Sequence, residues 1–531
     1  MRSIRILDCT LRDGGFVNDW NFGLGSMKSI ISRLDKAGID MIEIGFIDER
    51  RPYDPDRSIL PDSGSISPLL RGLDIDNAMI LAMIDYGTCD ISRISLQKDS
   101  CIDGIRVIFK KKDQDAALEY LAQLQEKGYK TFVNPVSITG YSDGDVISLI
   151  EKINKLDPYA VAIVDTYGLM HSKELLHYYQ LFDTYLNKSI TIGYHAHNNF
   201  QLVYASSIEL CELESDRNLV IDSSLYGMGK GAGNANTELI AMFFNENFSK
   251  NYAIEHLLEA IDVDILKEYA KAPWGYSLLY YLAASNDCHP EYVKYLLAKK
   301  TLAVKSVNDL LETLPEGNKL SFNKELIEKK YQEHQNVSCN DETSYLRLAK
   351  DIENRNILLL GPGASIINES DSIVSYIDKY KPVVISINFI NDLYPIDYVF
   401  MGNSKRYSQF FHRIYGDGIN VKVICTSNVS PSSKQIDYIF NYGALTNDTE
   451  SVRDNPLLMV MKILKKCAVQ EIVLAGFDGY TDNNEQNYYS DYIPLLYCQD
   501  DVLKRNSAMT ECIKAIGKDM SISSLTKTMY L

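Results

Sequence analysis

The sequence contains no apolar run that approaches the roughly 20 residues of a membrane-spanning helix. Its ten cysteines are scattered singly from Cys9 to Cys512 without a CxxC pair, which favours reduced thiols over a disulfide framework or a zinc cage. The first residues, MRSIRILDCTL, lack the longer apolar stretch and the small-residue cleavage site of a secretory signal. We therefore expect a soluble, cytoplasmic protein.

Positive charge is also scarce, because 54 Lys and Arg residues face 71 Asp and Glu residues and leave a formal charge of -17. A chain of this charge repels nucleic acid and anionic membranes, so neither is expected as a partner. Hydrophobic residues make up 46% of the 531 residues, which is typical of a globular protein of two or three domains. Small-molecule chemistry becomes the leading class of function.

Eight apolar runs rich in Ile and Val alternate with helical patterns over residues 1–252. Their continuous apolarity indicates strands that are buried on both faces, and their number predicts a parallel (β/α)8 TIM barrel. The runs are IRILDCTL, MIEIGF, AMILAMID, GIRVIFK, KTFVNPVS, AVAIVDT, ITIGYHAHN and LVIDSSLYGMG.

Two further regions follow the predicted barrel. Residues 253–350 carry helical patterns and no convincing strand, which predicts a helical extension. From NILLLGPGASI onward, strand and helix patterns alternate again, so residues 351–531 are expected to form a Rossmann-like α/β domain.

Polar residues that suit a metal centre follow the first and seventh predicted strands. Arg12 and Asp13 come directly after the first strand, and the period of two in a strand places His195 and His197 on one face. In a TIM barrel the carboxyl ends of the strands carry the active site. Two imidazoles and a carboxylate leave open positions on a divalent ion, and a guanidinium holds a developing oxyanion without acting as a base.

A glycine-rich stretch, LYGMGKGAGNANTE, follows the eighth predicted strand. It lacks the GxxxxGK[ST] order of a phosphate loop, which favours a flexible active-site segment from Gly227 to Gly233. Asn234 is a candidate additional metal ligand. Lys230 is interpreted as a solvated or anion-steering residue, because nothing nearby in the sequence argues for its burial.

The segments TLRDGG, DTYG, HAHNN and GMGKGAGNANTE together resemble the DRE-TIM metallolyase superfamily over about the first 290 residues. The 4-hydroxy-2-oxovalerate aldolase branch is the most similar, and APWGYSLLYYLAASNDCHPEYV resembles the helical region that follows the barrel there. The resemblance implies cleavage or formation of a carbon–carbon bond through the enolate of a 2-oxo acid such as pyruvate, with an aldehyde or sugar as the second small molecule.

The resemblance also implies roles for individual residues. Arg12 would stabilise the enolate, and Thr166 of DTYG would line the substrate site. The implied ligands of an Mn²⁺ or Mg²⁺ ion are Asp13, His195, His197 and, as a further ligand or near-ligand, Asn234.

The sequence departs from the aldolase branch at one position. That branch usually carries a histidine acid/base a few residues after RDG, whereas this chain reads RDGGFVNDWNF. Proton transfer would then fall to Asp19, Glu43, Tyr226 or a water on the metal. Two alternatives to an aldolase stay open, namely an acyl-CoA-type condensing enzyme and a catalytically degenerate barrel that serves as a binding or scaffold protein.

The last predicted domain begins with a glycine turn that leads into a helix, a common way to bind phosphate. GPGAS lacks the third glycine of the dinucleotide fingerprint, and Asn388 stands near the position of the expected ribose-binding acid, which disfavours NAD. With INF, DYVFMGNSKRY and VLAGFDGY, the turn faintly resembles bacterial sialyltransferase-like and related nucleotide-binding domains of surface-glycan synthesis. The resemblance implies that a nucleotide or nucleotide sugar faces Gly361, Gly363, Ser365 and Asn388.

The chain as a whole is therefore predicted to be a bifunctional homo-oligomer in which the second domain handles a sugar or nucleotide sugar. An inactive Rossmann-like scaffold is the alternative for that domain.

Overall fold

A computed structural model describes residues 2–416, 420–429, 436–481, 487–490, 492–493 and 502–531. The chain divides into two compact units. The barrel unit comprises Met1–Pro290 and Lys319–Ser321, and the carboxyl-terminal unit comprises Glu291–Asn318 and Phe322–Leu531. The predicted domain limits at residues 252 and 350 stay predictions.

Nine parallel strands form the sheet of the barrel unit. Eight of them close a barrel, because the first strand pairs with both the second and the ninth, and the two-residue third strand lies beside the second. This confirms the predicted (β/α)8 TIM barrel. The strands are β1 (Ile4–Asp8), β2 (Met41–Ile47), β3 (Ile59–Leu60), β4 (Met79–Asp85), β5 (Gly104–Phe109), β6 (Lys130–Pro135), β7 (Ala160–Asp165), β8 (Thr191–Ala196) and β9 (Leu219–Ser223).

Both faces of these strands are buried. On β1, Ile6 packs in the layer between strands and helices, and Leu7 joins Met41, Leu81 and Phe132 in a separate cluster. Apolar side chains on both faces therefore explain why the strands are continuous apolar runs in the sequence. Because all eight strands are parallel, their carboxyl ends lie at the same end of the barrel, where the candidate site is built.

Twelve α-helices connect or follow the strands in the described part of the barrel unit. Most are amphipathic: α3 buries Met27, Ile30, Ile31 and Leu34 at helical spacing. Their bounds are α1 (Thr10–Asp13), α2 (Gly15–Asn18), α3 (Leu24–Lys36), α4 (Ser67–Leu70), α5 (Gln114–Glu126), α6 (Asp143–Leu156), α7 (Ser172–Tyr185), α8 (Val203–Glu212), α9 (Thr237–Asn247), α10 (Ile254–Ala260), α11 (Leu266–Lys271) and α12 (Leu278–Ser285).

Helices continue from the end of the barrel unit into the carboxyl-terminal unit. Residues 253–350 are all described and contain no strand, in agreement with a helical extension. The remaining helices before the second sheet are α13 (Pro290–Ala298), α14 (Val304–Glu312), α15 (Glu316–Lys319), α16 (Lys324–Gln335) and α17 (Glu342–Asp351).

A second parallel sheet forms the centre of the carboxyl-terminal unit. Its order is β14-β13-β12-β11-β10-β15-β16, so the strands that follow β10 along the chain first extend the sheet on one side and later on the other. The strands are β10 (Ile357–Leu360), β11 (Val383–Ile387), β12 (Tyr398–Met401), β13 (Lys422–Thr426), β14 (Tyr438–Phe440), β15 (Glu471–Ala475) and β16 (Ser521–Ser524).

Helices cover both faces of this sheet. On β10, Ile357 and Leu359 belong to one apolar cluster, whereas Leu358 and Leu360 belong to another. The arrangement is α/β, as predicted for this region. The helices are α18 (Ser365–Asn368), α19 (Ser370–Tyr380), α20 (Ser404–Tyr415), α21 (Tyr442–Leu445), α22 (Pro456–Lys466) and α23 (Val502–Ile516).

Among the described residues, no helix combines the length and the apolarity that a crossing of the bilayer requires.

Candidate metal centre

Three metal-binding side chains meet at the carboxyl end of the barrel. Asp13 ends α1, directly after β1, while His195 lies on β8 and His197 immediately after it. One ligand atom from each side chain lies within 4.8 Å of the other two, and all three residues are at most 5% exposed. The structure therefore brings together the carboxylate and the two imidazoles that the sequence predicted for a metal.

Asn234 belongs to the same cluster. Its Nδ2 donates to Asp13 Oδ2 over 2.8 Å, and the backbone amide of Lys230 donates to the same oxygen over 3.1 Å. A Cβ atom at Gly229 would lie 2.1 Å from Asn234 Nδ2 and 2.5 Å from Asp13 Oδ2. This glycine is thus required for the close approach of the loop to the ligands.

Arg12 contacts this cluster through two nitrogens of its guanidinium group and leaves the third without a partner in the described chain. Nε donates to Glu43 Oε2 over 2.7 Å and Nη1 to Asp13 Oδ1 over 2.6 Å. Nη2 is buried and has no hydrogen-bond partner among the described residues. A fixed donor of this kind suits an oxyanion that develops during a reaction.

A buried ionic network holds these groups in place. Arg106 Nη1 lies 3.2 Å from Glu43 Oε2, and Arg106 Nη2 lies 2.5 Å from Asp222 Oδ2. The same Asp222 oxygen is 3.1 Å from His195 Nδ1. Sequence reasoning missed Arg106 and Asp222, although a charged residue inside an apolar strand was a signal for each.

The charges set the protonation states that a metal site needs. Burial alone would raise the pKa of Asp13, but the charge of Arg12, followed by those of the two histidines, holds that pKa well below its usual range. Burial lowers the pKa of His197 to about 3. The cluster therefore offers an ionised carboxylate and a neutral imidazole near neutral pH, as metal coordination requires.

The residues fit a divalent ion. His197 Nδ1 and Asn234 Oδ1 are buried without a hydrogen-bond partner within the described part of the chain, although buried polar atoms are normally satisfied. Mixed carboxylate, imidazole and amide donors suit Mg²⁺, Mn²⁺ and related divalent ions. The orphaned atoms and the donor set thus agree with a candidate divalent metal site.

A cavity of about 470 Å³, open space at its mouth included, lies over this cluster. Thr166 lines it, as predicted, and accepts a 2.7 Å hydrogen bond at Oγ1 from the backbone amide of Ser137. The lining residues are Arg12, Asp13, Phe16, Phe46, Met83, Ile108, Asn134, Val136, Val164, Thr166, His195, His197 and Lys230.

Lys230 is placed differently from the solvated position that we inferred from the sequence. It lines the cavity, and its Nζ lies 5.5 Å from the ring centroids of both Phe16 and Tyr167. Burial lowers the pKa of Lys230. The ammonium group of Lys230 therefore lies in the cavity because aromatic rings distant in the sequence cover its side chain, and anion steering stays a prediction for this residue.

The structure does not bring Asp19, Glu43 or Tyr226 into the cavity. Asp19 is exposed and pairs with Arg51 and Arg57. Glu43 is fully buried and touches Arg12, so it positions that arginine instead of facing the cavity. Tyr226 is 38% exposed and packs at the surface against Trp274.

In the carboxyl-terminal unit, the residues predicted to face a nucleotide make different kinds of contact. A Cβ atom at Gly361 or Gly363 would lie within 2.6 Å of Gly476 O, so both glycines permit close packing against the loop after β15. The Ser365 amide donates to Asp478 Oδ2 over 2.9 Å, so a phosphate there would compete with a carboxylate. Nucleotide binding stays a prediction for this unit.

Comparison with known proteins supports the barrel assignment. The HMGL-like family model matches residues 104–263. A 4-hydroxy-2-oxovalerate aldolase of Rhodococcus jostii is 30% identical over 256 residues, which cover 46% of this chain and 69% of the relative. The oxaloacetate decarboxylase of Mycobacterium tuberculosis is 23% identical over 284 residues, covering 51% of this chain and 80% of the relative.

Among solved structures, the carboxyl transferase domain of Rhizobium etli pyruvate carboxylase with pyruvate is similar at a TM-score of 0.48 and 11% identity. The likeness covers 66% of this chain and 65% of that one.

The barrel and its buried Asp-His-His cluster define a metallolyase of the DRE-TIM type, which confirms the resemblance found in the sequence. The chain belongs to the family of the 4-hydroxy-2-oxovalerate aldolases, with an HMGL-like domain over residues 104–263, and it is a carbon–carbon lyase.

Proposed function

We propose that the barrel unit is a divalent-metal-dependent aldolase that acts through the enolate of a pyruvate-type 2-oxo acid. The second small molecule is an aldehyde or sugar that is joined to the enolate or released from it. The observation that carries this proposal is the single cavity that contains Asp13, His195 and His197 together with Arg12, whose Nη2 lacks a partner in the described chain.

The proposed roles follow from the contacts of each residue. An Mg²⁺ or Mn²⁺ ion held by Asp13, His195 and His197, with Asn234 beside them, would polarise the carbonyl group of the 2-oxo acid. Arg12 Nη2 donates to the oxygen that gains negative charge. Its other nitrogens are already held by Glu43 and Asp13, so the donor needs little reorganisation during the reaction.

Two residues of the cavity are proposed to bind the rest of the substrate. Lys230 places a positive charge beside the ligands, which favours a substrate carboxylate over a neutral group. Thr166 keeps its hydroxyl on the wall of the cavity through its bond with the Ser137 amide. The apolar wall, which includes Met83 and Val164, excludes water from the reacting carbon.

The names of the relatives agree with this substrate class. 4-Hydroxy-2-oxovalerate and oxaloacetate are both 2-oxo acids, and cleavage at the carbon next to the oxo group leaves an enolate of a pyruvate type in each case. An acyl-CoA condensing reaction has no comparable support in the lining of the cavity, where the ionisable residues are Arg12, Asp13, Lys230 and the two histidines.

For the carboxyl-terminal unit, we propose that a sugar or nucleotide sugar is handled in surface-glycan synthesis. Support for this role comes from the motifs GPGAS, DYVFMGNSKRY and VLAGFDGY, which resemble nucleotide-binding domains of that process.

The aldolase proposal is tested by metal content and by exchange of the methyl protons of pyruvate for deuterium, which reports the enolate without knowledge of the aldehyde. We expect one Mn²⁺ per chain and measurable exchange in the native protein. A variant with His195→Ala and His197→Ala should lose both. His177→Ala is the matched control, because His177 lies half-exposed on α7 and pairs with Asp143.

Two results would overturn the proposal. Undiminished metal in the double variant would remove these histidines from the ligand set. Full metal occupancy of the native protein without any exchange would instead indicate a barrel that binds without catalysis, the alternative left open by the missing histidine.

A further inference from the structure

The carboxyl-terminal unit contains its own cavity, of about 700 Å³ with its open mouth included. The cavity lies where β10, β11, β12 and β15 end, and its lining includes Gly363, Asn388, Asn403 and Asp478. Because β11 and β15 flank β10 on opposite sides, this is the point of an open parallel sheet where ligands commonly bind. The aldolase cavity belongs to the other unit, and what this cavity binds deepens the sugar or nucleotide-sugar role proposed for the carboxyl-terminal unit, on which it rests.

Three of the four asparagines in the described lining share one arrangement, whereas the fourth, Asn487, bonds Thr481 through both its oxygen and its NH₂ group. Asn388 Oδ1 accepts from the Gly402 amide over 2.9 Å. Asn403 Oδ1 accepts from the Arg406 amide over 2.9 Å at the start of α20.

Asn455 begins α22 in the same way, since its Oδ1 accepts from the amides of Leu457 and Leu458 over 3.0 and 3.4 Å. A backbone N–H can only donate, so the oxygen of each asparagine must face the backbone. The NH₂ group of each is therefore the part left for other partners. Asn388, Asn403 and Asn455 are only 7–8% exposed.

None of these three NH₂ groups has a hydrogen-bond acceptor in the part of the chain that the structure describes. All three side chains line one cavity, although the residues are otherwise more than nine-tenths buried. The NH₂ groups of the three asparagines can donate hydrogen bonds but cannot accept them. The three NH₂ groups are therefore available to donate to the acceptor oxygens of a ligand in this cavity.

Neighbouring side chains limit the kind of ligand that the cavity can bind. Arg406, 3% exposed, also lines the cavity and adds positive charge. Asp478, the acid of the lining, already accepts from the amide and hydroxyl of Ser365. Phe477 and Tyr488 provide aromatic surface. The cavity therefore combines clustered hydrogen-bond donors with an aromatic surface on which a ring can pack.

We propose that this cavity binds an organic oxyanion, namely a phosphate or carboxylate group carried by a ring-containing small molecule, with Asn388, Asn403 and Asn455 as its donors. The glycine turn of GPGAS is not the anion site in this arrangement, because Asp478 occupies the Ser365 amide. A nucleotide and a sugar acid share this chemistry and are separated by the test.

The test measures binding to the full chain by calorimetry, with cytidine monophosphate, glucuronate and inorganic phosphate as probes. Asn403→Asp and Asn455→Asp retain the oxygen that caps each helix, and aspartate caps as well as asparagine does. They replace the donor by a negative charge. The matched control is Asn323→Asp, which caps α16 through the Leu326 amide at an exposed position outside the cavity.

We expect cytidine monophosphate or glucuronate to bind the native chain, and each cavity variant to bind it about tenfold more weakly or worse. The control should bind as the native chain does, with unchanged unfolding temperatures throughout. Binding of neither organic probe, or equal binding by the cavity variants and the native chain, overturns the proposal. Inorganic phosphate that binds as tightly as the organic probes overturns the requirement for a ring.

Discussion

Asn234 Nδ2 donates to Asp13 Oδ2 over 2.8 Å, although 221 positions separate the two residues in the chain. The bond ties the glycine-rich loop after β9 to the residue that follows β1. It uses one oxygen of the Asp13 carboxylate, while Arg12 Nη1 holds the other. The orientation of Asp13 is therefore set by two neighbours before any ion binds.

Asn234→Ala should weaken metal binding without removing Asp13 or either histidine. Loss of a group that orients a ligand commonly costs about 10- to 100-fold in metal affinity, and we expect a loss in that range by Mn²⁺ titration calorimetry. Asn154→Ala is the control, since Asn154 also bonds through its amide, to Tyr185 O, but on α6. Equal affinity of native and Asn234→Ala proteins would show that the loop does not support the site.

Arg12→Lys separates metal binding from chemistry. Lysine keeps the charge but loses the planar fork that contacts Glu43 and Asp13 and leaves Nη2 free. One such oxyanion donor is worth about 3 kcal/mol, so the rate of pyruvate exchange should fall roughly a hundredfold. Mn²⁺ occupancy should remain. An unchanged exchange rate in the metal-loaded variant would make Arg12 a structural residue.

Lys230→Met tests the positive charge inside the cavity. Methionine keeps much of the apolar contact with Phe16 but removes the ammonium, so we expect KM for pyruvate in the exchange reaction to rise about tenfold. The rate at saturating pyruvate should change less than KM. Lys152→Met removes a surface lysine that pairs with Asp115 and should change neither. If the Lys230→Met variant has the same KM for pyruvate as the native protein, Lys230 does not contact the substrate.

Gly363→Ala concerns the packing of the carboxyl-terminal unit. The added Cβ would lie 2.5 Å from Asp478 Oδ1 and 2.6 Å from Gly476 O, so we expect this unit to lose about 1–3 kcal/mol of unfolding free energy. Gly317→Ala is the control, because its Cβ would have no neighbour within 4 Å. Denaturant unfolding of both variants measures the difference. Equal unfolding free energies of the Gly363→Ala and native proteins would show that the loop after β15 moves to accommodate the added Cβ atom without loss of stability.

The sequence predicted the barrel because its strands are buried on both faces and read as apolar runs. Asp13 follows the first of these runs, and His195 lies near the end of the seventh. The position of the metal cluster therefore followed from the rule that barrel sites lie at the carboxyl ends of strands. The two-residue β3 was not predicted, since Ile59 and Leu60 are too short a segment to show a strand pattern.

The misplaced residues share one physical cause, namely partners that are distant in the sequence. Asp19 was a candidate acid or base, yet its charge is taken by Arg51 and Arg57. The Ser365 amide was expected to face a phosphate, but Asp478, 113 positions away, accepts from it. Local patterns contain no information on such pairings.

We propose above all that the barrel forms the enolate of a 2-oxo acid with the help of a bound divalent ion. The most direct measurement is NMR of the pyruvate methyl group in D₂O, with the native protein first stripped by a chelator and then loaded with Mn²⁺. We predict no enzymatic exchange by the stripped protein and rapid exchange once one equivalent of Mn²⁺ is restored. Exchange at the same rate before and after metal is added, or its absence from the fully loaded protein, would show that the barrel does not form the enolate with a bound metal ion.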